Sequence, residues 1–234
     1  MHAAKNMLSV IVPTYNEREN IAELIERIET ALKEVNLEVI VVDDGSPDGT
    51  ADAAEELNKI YGNVRVHRRP GKMGLASAIM DGIDLASFDV VAVIDADLQH
   101  PPEHLPEMFS KIMEGCDLVI ASRYVEGGMI EGWSFWRRLI SKSATKLAHF
   151  LLPETRKIKD VMSGYFMLRK SILRNVKLNP KGYKILLEIL VKGRYESTAE
   201  VPYTFKLRVR GKSKLKFNEI LNYLHLIFKL RWSH

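Results

Sequence analysis

Apolar residues come in short dense blocks through the first half of the chain, and each block ends abruptly in polar or acidic residues. "LSVIVPT", "LEVIVVDD", "VRVHRR", "DVVAVID" and "CDLVIASR" are Val- and Ile-rich runs of strand length. Between them lie segments of helical period. "ENIAELIERIETALKEV" places Ile21, Leu24, Ile25, Ile28, Leu32 and Val35 on one face, and "TADAAEELNKIY" and "GLASAIMDGIDLA" follow the next two strands. Near-continuous apolar strands alternating with helices predict a mostly parallel sheet covered on both faces. In such sheets ligands bind beyond the carboxyl ends of the strands, so the residues just after each strand are the first candidates for chemistry.

From about Gly127 the pattern changes. "GWSFWRRLISKSATKLAHFLL" is aromatic, basic and apolar together. "VMSGYFMLRKSIL" and "AEVPYTFKLRVRG" read as strands of a mixed or antiparallel extension, and "FNEILNYLHLIFKLRW" as an apolar terminal helix. There is no linker, low-complexity tract or internal repeat, so residues 1–234 are expected to form a single domain. The change of pattern divides it into a half of about 1–125 and a half of about 126–234.

Composition narrows the class without choosing a function. The chain has 234 residues, 46% of them hydrophobic and 27% charged, which describes a folded globular protein. The net charge of +4 is mild. The one cysteine, Cys116, permits no internal disulfide, suits a reducing compartment and reads as a small buried residue. "MHAAKNMLSVIVPTYNE" has no secretory signal pattern, and no segment approaches the roughly 18 uninterrupted apolar residues of a membrane span.

Four strand ends carry polar clusters. "PTYNE" holds Pro13, Tyr15 and Glu17; "VDDGSPDGT" holds Asp43, Asp44 and Asp48; "DADLQ" holds Asp95, Asp97 and Gln99; "SRY" holds Arg123. Two carboxylates and a carboxamide at alternate positions can converge on one hard cation such as Mg2+ or Mn2+. The competing account of "DADLQ" is a capped loop, with Pro101 starting the next helix. In "VDDGSPDGT" the glycines permit a tight turn and Thr50 suits a helix start, so some of the aspartates serve only the turn. An acidic residue at a parallel strand end also suits a ribose hydroxyl or base edge. The first strand is followed by neither G-x-G-x-x-G nor a G-x-x-x-x-G-K-[ST] loop, which argues against a dinucleotide oxidoreductase and a P-loop NTPase.

The ordered set "SVIVPTYNE", "VVDDGSPDGT" and "VIDADLQHPPE" resembles the inverting family 2 glycosyltransferases of GT-A fold. "ASRY", "SGYFMLRK", "GYKILLEIL" and "RVRGKSKL" narrow the resemblance to the dolichol-phosphate mannosyltransferase group, over nearly the whole chain. It implies a GT-A (Rossmann-like) α/β fold, with C-terminal amphipathic interface helices. It also implies that the half of about 1–125 is nucleotide-binding and the half of about 126–234 acceptor- and membrane-facing. It implies GDP-mannose as donor, dolichyl or another polyprenyl phosphate as acceptor, and Mg2+ or Mn2+ as cofactor. By position, Pro13, Tyr15 and Glu17 would contact guanosine, Val42 and Asp44 base and ribose, and Asp95, Asp97 and Gln99 the metal. Ala96 and Lys184 would lie beside the donor. Arg123 would contact phosphate and sugar, Arg208 and Lys214 would grip the diphosphate, and Arg137 and Ser141 would join Arg123 at the acceptor phosphate. The implied location is the cytoplasmic face of a membrane, held peripherally or through an anchoring partner subunit.

Two basic segments bear on rival readings. "FKLRVRGKSKLK" has a cation at every second position, which in an extended chain puts all of them on one face, solvated or gripping a ligand. "GWSFWRRLISK" puts tryptophans beside cations, the mark of an interfacial helix, although a core helix with a charged outer face has the same composition. A nucleic-acid module is disfavoured, because the cations come without aromatic stacking platforms and a carboxylate-lined cleft repels phosphate. A catalytically dead scaffold is disfavoured by the intact acidic triplet. A polyprenyl-phosphate glucosyltransferase using UDP-glucose is separated only poorly by these motifs.

Overall fold

The computed structural model describes residues 6–179, 184–207 and 217–232. Strand β1 (Met7–Thr14) pairs in parallel with β2 (Asn36–Asp43) along its whole length and with β4 (Val90–Val93) on its other side. Strand β3 (Val64–Arg68) edges the sheet beside β2. β5 (Leu118–Ser122), β7 (Phe166–Arg169) and β8 (Thr198–Pro202) complete a seven-stranded sheet of order β3-β2-β1-β4-β7-β5-β8. β7 alone runs against the others, between β4 and β5. A separate parallel pair, β6 (Met129–Ile130) with β9 (Thr204–Phe205), lies outside this sheet.

Strands β1 and β2 are buried at every position after their first, as expected for central parallel strands covered on both faces. Alternation divides their side chains between two cores. Ile11, Ile40, Val42, Val91 and Val93 point to one; Val10, Val12, Val39, Val41 and Ile94 point to the other. The first core is roofed by α3 (Leu75–Leu85), α5 (Phe135–Leu151), α6 (Ile185–Lys192) and α7 (Phe217–Trp232). The second is roofed by α1 (Arg18–Ala31), α2 (Thr50–Tyr61) and α4 (Leu105–Met113), the last preceded by a 3-10 turn at Pro102–His104.

Helix α5 starts on a Ser134 cap that accepts a hydrogen bond from the Arg137 N–H. It buries only Thr145 and Ala148, and leaves Phe135, Trp136, Leu139, Ile140 and Phe150 exposed. The aromatic start of the helix is therefore exposed, while its C-terminal half packs on the core through Ala148, Ala144, Leu147 and Leu151. Helix α7 is divided. Tyr223, Leu226, Ile227 and Leu230 are buried, and the Tyr223 hydroxyl donates to the Ala144 carbonyl of α5 at 2.6 Å. Leu221, Phe228 and Trp232 are exposed. No helix among the described residues is long and apolar enough to cross a membrane. Cys116 is half-buried rather than buried, with the Ser197 hydroxyl 3.7 Å from its sulfur.

Candidate active site

Because every strand but β7 runs one way, the carboxyl ends of β1, β2, β4 and β5 share an edge of the sheet. The same antiparallel direction brings the residues just before β7 to that edge.

At the β1 and β2 ends the acidic residues divide into turn-builders and others. Asp43 accepts hydrogen bonds from the Thr14 hydroxyl at 3.1 Å, the Ser46 hydroxyl at 2.6 Å and the Ser46 N–H at 2.9 Å. Asp48 caps the start of α2 through the Thr50 N–H at 3.0 Å and also accepts from the Arg18 N–H at 3.2 Å. Asp44 reaches across to the loop after β3, accepting from the Arg69 guanidinium, the Met73 N–H at 2.9 Å and the Gly74 N–H at 2.8 Å. Arg69 is itself buried, and also donates to the Ser77 hydroxyl at 2.7 Å. Gly45 makes this approach possible: its φ is +74°, and a Cβ there would lie 2.9 Å from the Gly71 Cα. The joined loops bring the Lys72 ammonium 3.9 Å above the centre of the Tyr15 ring. Asn16, at φ 58°, turns the chain between Tyr15 and Glu17, and Glu17 accepts from the Asn20 amide at 2.7 Å. Pro13 and Val42 are register partners, both buried, so only their main chains border the edge.

Beyond β4 the chain turns sharply. Leu98 adopts φ 60°, a left-handed conformation that costs a bulky residue about 1–3 kcal/mol and marks a position the surroundings impose. Asp97 accepts from the Gln99 N–H at 3.1 Å. The Gln99 amide nitrogen donates to the Lys206 carbonyl at 2.9 Å, which leaves its amide oxygen as the donor atom for a ligand. Asp95 lies 3.6 Å from the ring nitrogen of His100. His100 is buried among Tyr165, Tyr203 and Phe205, and burial pushes its pKa down to about 4 despite the Asp97 charge. The ring is therefore neutral near pH 7 and adds no positive charge to the acidic lip. Gly164, from the loop before β7, closes over this lip. A Cβ there would lie 3.0 Å from an Asp95 carboxylate oxygen and 3.4 Å from His100.

These residues fit a divalent cation as far as their chemistry goes. They offer hard oxygens, and Asp95 is part-exposed. Among the described residues no three His, Cys, Asp or Glu side chains gather into a closed cage. Two carboxylates and an amide suit the open kind of site, in which ligand phosphate and water complete the coordination.

On the far side of β7 the edge is basic. Arg123 is buried and doubly paired with Asp160, its Nε and Nη2 each donating to a carboxylate oxygen at 2.7 Å, while its N–H donates at 3.0 Å. Burial opposes the charge, but the Asp160 carboxylate outweighs it and holds the guanidinium above its ordinary pKa. Asp160 is wholly buried, and its loop is tied down by Glu200, which accepts from the Lys159 and Asp160 N–H groups at 2.8 and 3.1 Å. The Arg137 guanidinium carbon lies 4.3 Å from the centre of the Trp133 ring, and the Arg123 one lies 5.4 Å from it. The Tyr124 hydroxyl donates to the Ser141 hydroxyl at 2.8 Å. The Lys184 ammonium lies 3.4 Å from the Met162 carbonyl, in the same loop as Asp160 and Gly164. Acidic lip and basic cluster are neighbours: His100 feels the charges of Asp97, Arg123, Asp160 and Lys184 together, and Phe205 touches both His100 and Arg123.

Residues 9–177 match the family model described as Glycosyl transferase family 2. The chain belongs to glycosyl transferase family 2. Among its relatives is the dolichol-phosphate mannosyltransferase of Pyrococcus furiosus, 52% identical over 227 residues, which cover 97% of this chain and 64% of the relative. The chain thus spans a little under two thirds of that relative's length. The polyprenol monophosphomannose synthase of Mycolicibacterium smegmatis is 39% identical over 222 residues, 90% of this chain and 82% of the relative. The dolichol-phosphate mannosyltransferase of Saccharomyces cerevisiae is 36% identical over 234 residues, 95% of this chain and 86% of the relative. In fold, the chain is similar to glucosyl-3-phosphoglycerate synthase from Mycobacterium tuberculosis, solved with Mn2+, UDP-glucose and phosphoglyceric acid. The TM-score is 0.72 at 23% identity, covering 98% of this chain and 80% of that one. That likeness establishes the GT-A fold.

Pro13, Tyr15, Glu17, Val42, Asp44, Asp95, Ala96, Asp97, Gln99 and Arg123 stand at or just after the carboxyl ends of β1, β2, β4 and β5, while Arg137 and Ser141 reach the β5 end through Trp133 and Tyr124, and Lys184 reaches the loop before β7 through the Met162 carbonyl. Arg208 and Lys214 lie outside the described residues. Sequence reasoning missed Arg69, Lys72, Trp133, Tyr124, Asp160 and Gly164 as parts of the site. Asp160 directly precedes the "VMSGYFMLRK" segment that carries part of the resemblance, and that adjacency was the available signal.

Proposed function

We propose that this chain transfers mannose from GDP-mannose to the phosphate of dolichol or a related polyprenol, with inversion at the anomeric carbon. The observation that carries the reading is the juxtaposition of the acidic lip with the Arg123–Arg137 cluster across β7. A nucleotide sugar needs oxygen ligands for a cation beside its diphosphate; a lipid phosphate needs guanidinium groups. The names of the P. furiosus, M. smegmatis and S. cerevisiae relatives support the mannose and polyprenyl assignments.

In this mechanism Tyr15, Glu17, Asp44 and the main chains of Pro13 and Val42 hold the nucleoside. Asp95, Asp97 and Gln99 would hold Mg2+ or Mn2+, with Ala96 and Lys184 beside the sugar diphosphate. When bound, the cation supplies Lewis-acid neutralisation of the departing diphosphate. By the family resemblance Arg208 and Lys214, which lie outside the described residues, would add cationic stabilisation to the same group, where transition-state charge develops. Arg123, Arg137 and Ser141 orient the acceptor phosphate behind the anomeric carbon. A phosphate monoester has a second pKa of about 6, so its oxygen is already an anion at neutral pH and no general base is required. The neutral, buried His100 ring is consistent with that. Catalysis is then positioning and charge stabilisation.

The exposed residues Phe135, Trp136, Leu139 and Ile140, with Arg138 and Lys142 beside them, would seat the acceptor side on the cytoplasmic face of a membrane, alone or beside an anchoring subunit. Incubation with labelled GDP-mannose, Mn2+ and a polyprenyl phosphate is expected to yield an organic-extractable labelled lipid. No such product, or more product from UDP-glucose, would reject the assignment.

Gly164→Ala tests the lip. The added methyl presses on Asp95, so Mn2+ affinity measured by calorimetry in the presence of GDP is expected to fall roughly 10-fold or more, with the melting temperature nearly unchanged. Unaltered affinity would show that the Gly164 contact does not constrain the lip.

A further inference from the structure

We infer that Trp133 is a positioning residue whose indole makes Arg123 and Arg137 act as one clamp on the acceptor phosphate. The inference rests on reading Arg123, Arg137 and Ser141 as the acceptor-phosphate site. Two guanidinium groups repel each other, and among the described residues only one of them has a counter-ion. Asp160 spends both of its oxygens on Arg123. Among the described residues Arg137 forms no ion pair, and its Nε is buried without a hydrogen-bond partner. Burial and the Arg123 charge both lower the Arg137 pKa, so the second cation sits in a place that disfavours it.

What keeps it there is the Trp133 ring. Both guanidinium carbons lie within 6 Å of its centre, the range over which the negative face of an indole attracts a cation. Trp133 itself packs on Phe205, at 5.6 Å edge to face, and Phe205 packs on His100 at the acidic lip. A single half-buried indole therefore sets the separation of two donors that must meet one phosphate, and links that separation to the donor side. The surplus positive charge is what a dianionic phosphate monoester would neutralise.

Trp133 lies just before the exposed apolar turn of α5, so a role in touching lipid has to be separated from a role in aiming the arginines. A water-soluble short-chain isoprenyl phosphate, assayed without membrane or detergent, removes the first role. With that acceptor, Trp133→Leu is expected to raise the acceptor KM about tenfold. The KM for GDP-mannose and kcat should stay within about threefold, and Trp133→Phe, which keeps a π face, should recover most of the loss. Arg137→Ala is the companion variant. If it raises the acceptor KM while Trp133→Leu does not, or if Phe is no better than Leu, the role of Trp133 is overturned and the acceptor site stands. If Arg137→Ala leaves the acceptor KM unchanged, the acceptor reading fails and the inference falls with it.

Discussion

Asp97→Ala is expected to abolish transfer, lowering kcat by at least about 10³-fold, while leaving the fold intact. The structural side is modest. Asp97 accepts from the Gln99 N–H at 3.1 Å, and it lies at the rim of the core rather than within it. The chemical side is large, because two carboxylates and one amide are the whole protein contribution to the proposed cation site. Removing one carboxylate leaves too few hard donors to hold the ion against water. Mn2+ titration by electron paramagnetic resonance is expected to lose its tight component in the variant, and circular dichroism to remain unchanged. EDTA should reproduce the same loss in the unaltered protein, reversibly. Normal turnover by the variant at saturating metal would mean that the acidic lip is a capped loop after all.

Asp160→Asn is expected to fail differently, by destabilising the protein as well as silencing it. Asp160 is wholly buried, and it neutralises a guanidinium that is itself almost fully buried. Losing the charge of one partner strands the other, an effect of about 3–5 kcal/mol for buried pairs. In a chain of this size that lowers the melting temperature by roughly 10 °C, measurable by scanning calorimetry. The amide also turns an N–H group toward the Arg123 N–H groups, so Arg123 loses its aim. The double variant Arg123→Met/Asp160→Leu separates the two roles. It is expected to recover most of the stability, because a buried ion pair exchanged for well-packed apolar groups is often near neutral. Transfer should stay lost. An unchanged melting temperature for Asp160→Asn would show that Arg123 does not depend on it.

Much of the nucleotide side was legible in the chain. Strands in a parallel sheet must be apolar on both faces, so Val and Ile runs gave away β1, β2, β4 and β5. Parallel direction by itself then places "PTYNE", "VDDG", "DADLQ" and "SRY" at one edge. The division of labour among the aspartates was not legible. Asp43, Asp44 and Asp48 stand in one short stretch, yet Asp43 and Asp48 serve the turn and the helix start, and Asp44 holds the loop after β3. Which neighbour each carboxylate finds depends on the positive φ of Gly45 and on how close Gly71 comes to it. The aromatic segment was legible as amphipathic but not as exposed, because composition alone does not say which face meets the core. Helix α7 shows the converse, with Ile227 drawn into the core beside Leu226 and Leu230.

From its own letters the chain settled the alternation of strand and helix and the acidic and basic character of the strand ends, because hydrophobic period and turn chemistry are local properties. Tertiary structure alone decided Asp160, Gly164 and the Trp133 platform. The rule that ligands gather after strands holds for parallel ones, and β7 runs the other way, so it delivers to the same edge the residues that precede it. Direction within a sheet is set by pairing between segments far apart in sequence, Phe166 with Val93 and with Ile120, and no local pattern records that choice.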